Sequence, residues 1–354
     1  MKLDEKYVKL FKWRDNPFSF RILPQLFVGY PKEIEKIVNG IKNRDKILLL
    51  IGPTGSGKTT LLKFIANEFD GKDVFYLPKP PKKPEDWINI FTNFIGLGIR
   101  ERLFSRGKNL NLYNLGEWVN KRTRERNLSL LLDEGHEASL ETLEWLRTLT
   151  DQIDNLSVVI AGLVKIEDIL NENLETFMRR ISSRVELTNL TKSETRELIK
   201  KRIEWAGGED IRPFTSETVE AIYDRSGGFP REVIKTCNEL VQKALEKNIS
   251  TIDLNFLEEI KTKTPRRLPL SKVSDLPSRQ KSILELLNNH KNLSPSEIVS
   301  KIELDGYKDK ENAVRSINNI LKRLLKEEFI TRKRFGKTFR YKLSEKVKTM
   351  MVNA

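Results

Sequence analysis

Gly52-Pro53-Thr54-Gly55-Ser56-Gly57-Lys58-Thr59-Thr60 follows directly on the apolar run Lys46-Ile47-Leu48-Leu49-Leu50-Ile51. Every position of the pattern G-x-x-x-x-G-K-[ST] is filled, with a strand-like run before it and helical spacing (Leu61, Leu62, Phe64, Ile65) after it. The glycines let the backbone turn tightly enough for several N–H groups to face one phosphate chain. The following helix adds the positive end of its dipole. Lys58 is placed to reach the β- and γ-phosphates, and the Thr59 hydroxyl to ligate Mg²⁺. The stretch from Gly52 to Thr60 is therefore expected to hold a nucleoside triphosphate.

Outward from this loop, strands alternate with helices. Val74-Phe75-Tyr76-Leu77 reads as a second strand, Leu128 to Leu132 as a third, Leu156 to Ala161 as a fourth and Val185-Glu186-Leu187 as a short fifth. Such alternation predicts an α/β fold with a parallel sheet and the ligand at the strands' carboxyl ends. From about Thr191 the strands stop. Three helices are expected at Ser193–Trp205, Ser216–Ser226 and Pro230–Lys247, and the linker Thr264-Pro265-Arg266-Arg267-Leu268-Pro269 precedes a last unit. The predicted domains are 1–190, 191–264 and 271–354.

Composition narrows the function. The 354 residues contain one cysteine, Cys237, and two histidines, His136 and His290, which excludes an intrachain disulfide and a Cys- or His-rich metal site. No apolar run approaches the roughly 18 residues of a membrane span. Met1-Lys2-Leu3-Asp4-Glu5-Lys6 lacks the apolar core of a signal peptide, so a cytoplasmic protein without a membrane partner is expected. The net charge is +14, and 21 Lys/Arg against 10 Asp/Glu from Arg266 onward give that quarter +11 of it. A concentrated positive charge favours a polyanionic partner.

About 75 residues after the phosphate loop, Leu130-Leu131-Leu132-Asp133-Glu134 supplies the second half of a triphosphate site. An apolar strand fixes the position of its terminal carboxylates. Asp133 is expected to hold Mg²⁺, and Glu134 to polarise the attacking water. His136 reads as a partly buried turn residue. In Met178-Arg179-Arg180-Ile181-Ser182-Ser183-Arg184, Arg180 and Arg184 are the candidates to reach the γ-phosphate of a neighbouring subunit. Gly227-Gly228-Phe229-Pro230-Arg231 opens a helix with Arg231 in its first turn, where an arginine opposes the helix dipole unless it serves the phosphates.

This constellation resembles the AAA+ ATPases over roughly residues 11–260. Leu132-Asp133-Glu134-Gly135-His136, Val159-Ile160-Ala161-Gly162, Arg180-Ile181-Ser182-Ser183-Arg184 and Asn16-Pro17-Phe18 look most like the transposition-helper and ExeA-type members. The resemblance implies an AAA+ core binding ATP, a helical lid and a γ-phosphate-sensing arginine. Origin-recognition members place a polar sensor residue at the end of the fourth strand. Here that place reads Ala161-Gly162, and slow hydrolysis is expected.

The last unit reads as a helix from Ser278, a short one with Ser294 as N-cap and Pro295 first, and a third from Glu311 to Glu328. Phe329 to Leu343 then makes two strands around a Gly-containing turn. This order resembles a winged helix-turn-helix, and its combination with an AAA+ core resembles the archaeal origin-recognition initiators. In such domains the third helix enters the major groove and the wing follows the phosphates. Lys310, Asn312, Arg315, Ser316 and Asn319 are the expected groove-facing residues, and Arg332, Lys333, Arg334, Lys337, Arg340 and Lys342 the basic wing, with no acidic residue from Phe329 to Leu343. The expected function is an ATP-dependent DNA-binding ATPase of replication-initiator or helicase-loader type. It would form a homo-oligomer on double-stranded DNA in the ATP state and meet replication or recombination proteins. A transposition helper and an ATP-switched transcription regulator are the alternatives.

Overall fold

The computed structural model describes residues 3–69, 73–96, 110–124, 126–259, 277–290, 292–302, 310–326, 329–335, 338–344 and 347. They fall into two compact units. One runs from Phe20 to Leu187; the other joins the residues before Phe20 to those from Thr188 onward. The described residues before Phe20 group with the second unit rather than the first. The linker Thr264–Pro269 lies outside the described residues.

The first unit is built on a parallel sheet of β1 (Ile47–Ile51), β2 (Val74–Leu77), β3 (Leu128–Leu132), β4 (Leu156–Gly162) and β5 (Ile181–Glu186), ordered β2-β3-β4-β1-β5. Every residue of β1, β3 and β4 is buried, as expected of strands covered by helices on both faces. Trp87, Phe91, Leu115, Leu146 and Phe177 cover part of one face. Because β4 lies between β1 and β3, the ends of all three strands meet along one edge, with Ile51 beside Gly162 and Leu132 beside Ile160.

Strand β5 begins four residues before the expected Val185. It is an edge strand whose residues from Ile181 to Arg184 are half-buried or exposed, so no apolar run announces it. It pairs with β1 across an irregularity, Ile47 facing Ile181 and Leu48 facing Ser183. Arg184 thus stands within the strand rather than on a segment leading to it.

In the second unit the helices Lys192–Trp205, Ser216–Ser226 and Pro230–Lys247 form as expected, and Leu254–Glu259 adds a short fourth. The first opens with a capping box between Thr191 and Glu194. Gly228 has φ +72, and a Cβ there would stand 2.2 Å from the Leu190 carbonyl oxygen, which accounts for glycine at this turn. The N-terminal residues bring a helix, Leu3–Phe11, and a cluster of aromatics. Phe18 is fully buried, edge-on to Trp13 and to Phe214. Asn16 accepts the Phe18 N–H through Oδ1 and donates through Nδ2 to Asn238, while buried Arg202 donates to the carbonyls of Pro17 and Ser19 at 2.8 and 3.1 Å. Asn16-Pro17-Phe18 is thereby a clamp on the helical unit.

Towards the C-terminus the helices Ser278–Asn289, Pro295–Lys301 and Lys310–Lys326 precede an antiparallel pair, β6 (Ile330–Phe335) and β7 (Thr338–Leu343). Ser294 caps the second helix in a capping box with Glu297. Ile283, Leu287, Ile298, Ile317, Leu321, Phe329 and Tyr341 share one core. Leu293 and Tyr341 exchange both backbone hydrogen bonds, a bridge at β7 that the sequence reading lacks. Phe18→Ala is expected to cost the second unit about 3–5 kcal/mol. A lowered denaturant midpoint checks this, read with each unit's transition resolved.

Candidate functional site

At the mouth of the first unit, the loop Gly52–Gly57 leaves β1 and enters the helix Lys58–Glu68. A Cβ on Gly52 would stand 2.6 Å from the Leu187 carbonyl, and Gly57 has φ +102, so glycine is required at both ends of the turn. Lys58 is buried, and its ammonium donates to the carbonyls of Gly52 and Pro53 at 2.9 Å each. Burial lowers its pKa, while Glu134 and Asp133 act in the opposite direction. The Ser56 hydroxyl is buried and finds no hydrogen-bond partner among the described residues.

Strand β3 delivers the carboxylates. Asp133 is 2% exposed, and its Oδ2 accepts the Thr59 hydroxyl at 2.6 Å and the Tyr76 hydroxyl at 2.9 Å. Its Oδ1 accepts the Glu134 N–H at 2.9 Å. Glu134 itself adopts a left-handed conformation (φ 52, ψ 33), a strained state costing roughly 1–3 kcal/mol for a non-glycine residue. Its carboxylate is half-buried. Thr59 and Asp133 thus converge from two elements, one hydroxyl and one carboxylate, the oxygen donor set that suits Mg²⁺.

Tyr76 is the residue that sequence reading missed. It is the third of the four residues of β2 and reads in the sequence as part of an apolar strand. Only the pairing of β2 with β3, Leu77 beside Leu132, brings its hydroxyl to Asp133. Burial first, and then the Asp133 charge, push the phenol pKa up, so Tyr76 remains a donor. The Lys63 ammonium lies over its ring, 5.2 Å from the centroid.

The arginines are distributed. Arg184 makes a forked pair with Glu167 and reaches Glu186 at 2.7 Å, contacts that raise its pKa, the Glu167 hydrogen bond foremost. Arg180 is exposed and pairs with Asp151 at 3.2 Å. Both therefore have partners in their own unit. Arg231 is exposed in the first turn of Pro230–Lys247, in the second unit.

Arg315 and Asn319 are exposed on Lys310–Lys326, opposite buried Ala313, Ile317, Leu321 and Leu324, with Ser316 half-buried. The side chains of Lys310 and Asn312, and all of Gly336 and Lys337, lie outside the described residues. Arg332, Lys333, Arg334 and Lys342 are exposed. The Arg332 guanidinium sits 4.4 Å from the centroid of Phe339, and that of Arg340 5.2 Å from Phe335, which is 67% exposed. Arg340 also reaches Glu297 at 3.3 Å and the Asn292 carbonyl at 3.4 Å, so part of its charge is already matched.

Tyr76→Phe is expected to weaken Mg²⁺-dependent nucleotide binding about tenfold, the size of effect typical when a group orienting a metal ligand is removed. Titrating Mg²⁺ into the protein with a fluorescent ATP analogue reads this directly.

Residues 41–170 match the family described as "AAA domain". An uncharacterized HTH-type transcriptional regulator of Methanocaldococcus jannaschii is 23% identical over 96% of this chain and 93% of its own. The ORC2 protein of Aeropyrum pernix, solved with ADPNP and ADP, superposes with a TM-score of 0.57 at 17% identity, covering 97% of this chain and 98% of that one. The ORC1 protein of the same organism, solved in complex with DNA, gives 0.50 at 12% identity, covering 95% and 96%. The chain resembles the AAA+ ATPases through the domain at residues 41–170 and has the AAA+ fold of the origin-recognition proteins.

Proposed function

We propose that this protein is an ATP-dependent DNA-binding ATPase of replication-initiator or helicase-loader type, in which the nucleotide state governs assembly on double-stranded DNA. The observation that carries the reading is the union of buried Lys58 and Asp133, joined by half-buried Thr59, with an exposed basic hairpin in one chain. The fold likeness to proteins whose structures hold ADPNP and ADP, or DNA, supports it.

In this reading the backbone N–H groups of Gly52–Thr60 and the Lys58 ammonium bind the phosphates of ATP. On binding, Lys58 exchanges the carbonyls of Gly52 and Pro53 for phosphate oxygens, so the resting contacts keep its charge solvated until then. Thr59 and Asp133 would hold Mg²⁺, which when bound neutralises charge on the β- and γ-phosphates. Glu134 orients the attacking water and takes its proton. Arg180 or Arg184 from a neighbouring copy senses the γ-phosphate. Either finger arginine must exchange an existing carboxylate partner, one for Arg180 and two for Arg184, which favours Arg180. The C-terminal helices and hairpin act as a winged helix. Arg315, Ser316 and Asn319, with Lys310 and Asn312, face the major groove, and Arg332, Lys333, Arg334, Lys337 and Arg340 follow the phosphates. The protein works in the cytoplasm, as a homo-oligomer with ATP, beside replication or recombination proteins.

The likeness to an HTH-type transcriptional regulator favours a second reading, in which the same switch acts at promoters. The core motifs keep a third in view, a transposition helper. Mapping the bound genomic DNA separates the three: discrete origin sites mark initiation, promoters regulation, and indiscriminate coverage target selection.

Lys58→Ala is expected to abolish nucleotide binding. Glu134→Gln should bind ATP normally and lose turnover by at least about a hundredfold; parental turnover in that variant refutes the assignment of the base. Replacing Arg332, Lys333 and Arg334 together by Ala should lower duplex affinity and flatten the log–log salt slope by about 2 to 3. An unchanged slope removes the hairpin from the interface.

A further inference from the structure

His136 has no part in the reading above, yet it stands against the proposed base. The turn Gly135–Glu137 after β3 folds back onto the end of β4. A Cβ on Gly135 would stand 2.4 Å from Ile160 Cγ2, so only glycine lets the turn seat so closely. The His136 side chain is 7% exposed, and its Nδ1 lies 3.4 Å from both the Leu163 N–H and Glu134 Oε2. A Cβ on Gly162 would lie 3.4 Å from the His136 backbone nitrogen and 3.6 Å from its Cβ. The space that a side chain at the end of β4 would enter is thus bordered by His136.

We infer that His136 is the positioning residue for Glu134, supplying from the turn after β3 the polar contact that Ala161-Gly162 at the end of β4 lacks. This rests on the reading of Glu134 as the base in ATP hydrolysis. A neutral imidazole offers one lone pair at Nδ1 and keeps its proton on Nε2. At rest that lone pair accepts the Leu163 N–H, which ties the ring to the main chain just beyond β4. Once Glu134 has taken the proton of water, its carboxyl O–H replaces the Leu163 N–H as the donor to that one lone pair, and the ring fixes the protonated base beside the end of β4. At rest the 3.4 Å between Nδ1 and Glu134 Oε2 separates two acceptors, and it becomes a hydrogen bond only when Glu134 carries the proton. Burial keeps the ring neutral, lowering its pKa. Among the charges around it, Glu134 and Glu137 oppose that shift, while Lys165 and Lys58 assist it.

The test uses the full-length protein with Mg²⁺ and ATP. His136→Ala should lower kcat about tenfold with ATP affinity, read by a fluorescent analogue, changed less than about twofold. His136→Asn, which keeps an acceptor near the place of Nδ1, should retain most of the turnover. His136→Ala with Gly162→Asn should regain part of it. The chain has two histidines, so ¹⁵N imidazole spectra assigned with His290→Gln give an independent readout. His136 should be an Nε2–H tautomer at pH 7.5, with an Nδ1 signal that moves in Glu134→Gln. Unchanged kcat in His136→Ala, or an equal loss of turnover in His136→Asn and His136→Ala, overturns the inference and leaves the ATPase reading standing. A loss of ATP affinity matching the loss of kcat assigns His136 to support of the loop and also overturns it. A wild-type protein that binds ATP without any turnover rejects the ATPase reading, and this role with it.

Discussion

The carboxylate of Asp133 is the point on which the first unit's site depends. It receives the hydroxyls of Thr59 and Tyr76 and the N–H of Glu134, and so ties the phosphate loop, β2 and the turn after β3 to one buried group. A buried carboxylate is costly unless it is hydrogen-bonded, and three donors meet that cost here. The same bonds hold the two oxygens proposed above as Mg²⁺ ligands at 2.6 Å from each other. Preorganisation of this kind lowers the entropy lost on binding.

Around that group, strain and charge are arranged for change rather than for rest. Lys58 donates to carbonyls of its own loop, contacts that a phosphate chain can replace one for one. Glu134 is kept in a left-handed backbone state by its bond to Asp133 and by the turn that packs on β4. Arg184 sits between two carboxylates, whereas Arg180 has a single, exposed partner. Exposed ion pairs contribute little, so freeing Arg180 costs less.

The second unit uses different means at its two ends. Near its start the aromatic clamp of Trp13, Phe18 and Phe214, with Arg202 bonded to main-chain carbonyls, fixes the chain before it crosses to the sheet. Near its end the hairpin holds arginines against exposed aromatic faces, exposed Arg332 on Phe339 and half-buried Arg340 on Phe335. Stacking holds the Arg332 guanidinium on a ring face, while Arg340 is also matched by Glu297. That is a surface suited to a polyanion, in a hairpin without acidic side chains.

The phosphate loop, the strand ending in Asp133-Glu134, the helical segments after Thr191 and the basic hairpin were legible in the chain alone, because each is set by local pattern. Glycine and lysine at fixed spacing, apolar runs and helical periodicity need no distant partner. What tertiary structure decided was which of these meet. Tyr76 looks like any strand aromatic until β2 pairs with β3, and the first four residues of β5 escape detection because an edge strand exposes polar residues. Asn16-Pro17-Phe18 looks like a turn until Arg202 and Phe214, nearly two hundred residues away, close on it. Likewise His136 reads as a turn residue until Gly162 makes room beside it and Leu163 binds its ring. Local sequence encodes the shapes of the pieces through steric and hydrophobic preference. The contacts between pieces depend on sheet order and register, which no single stretch of chain contains.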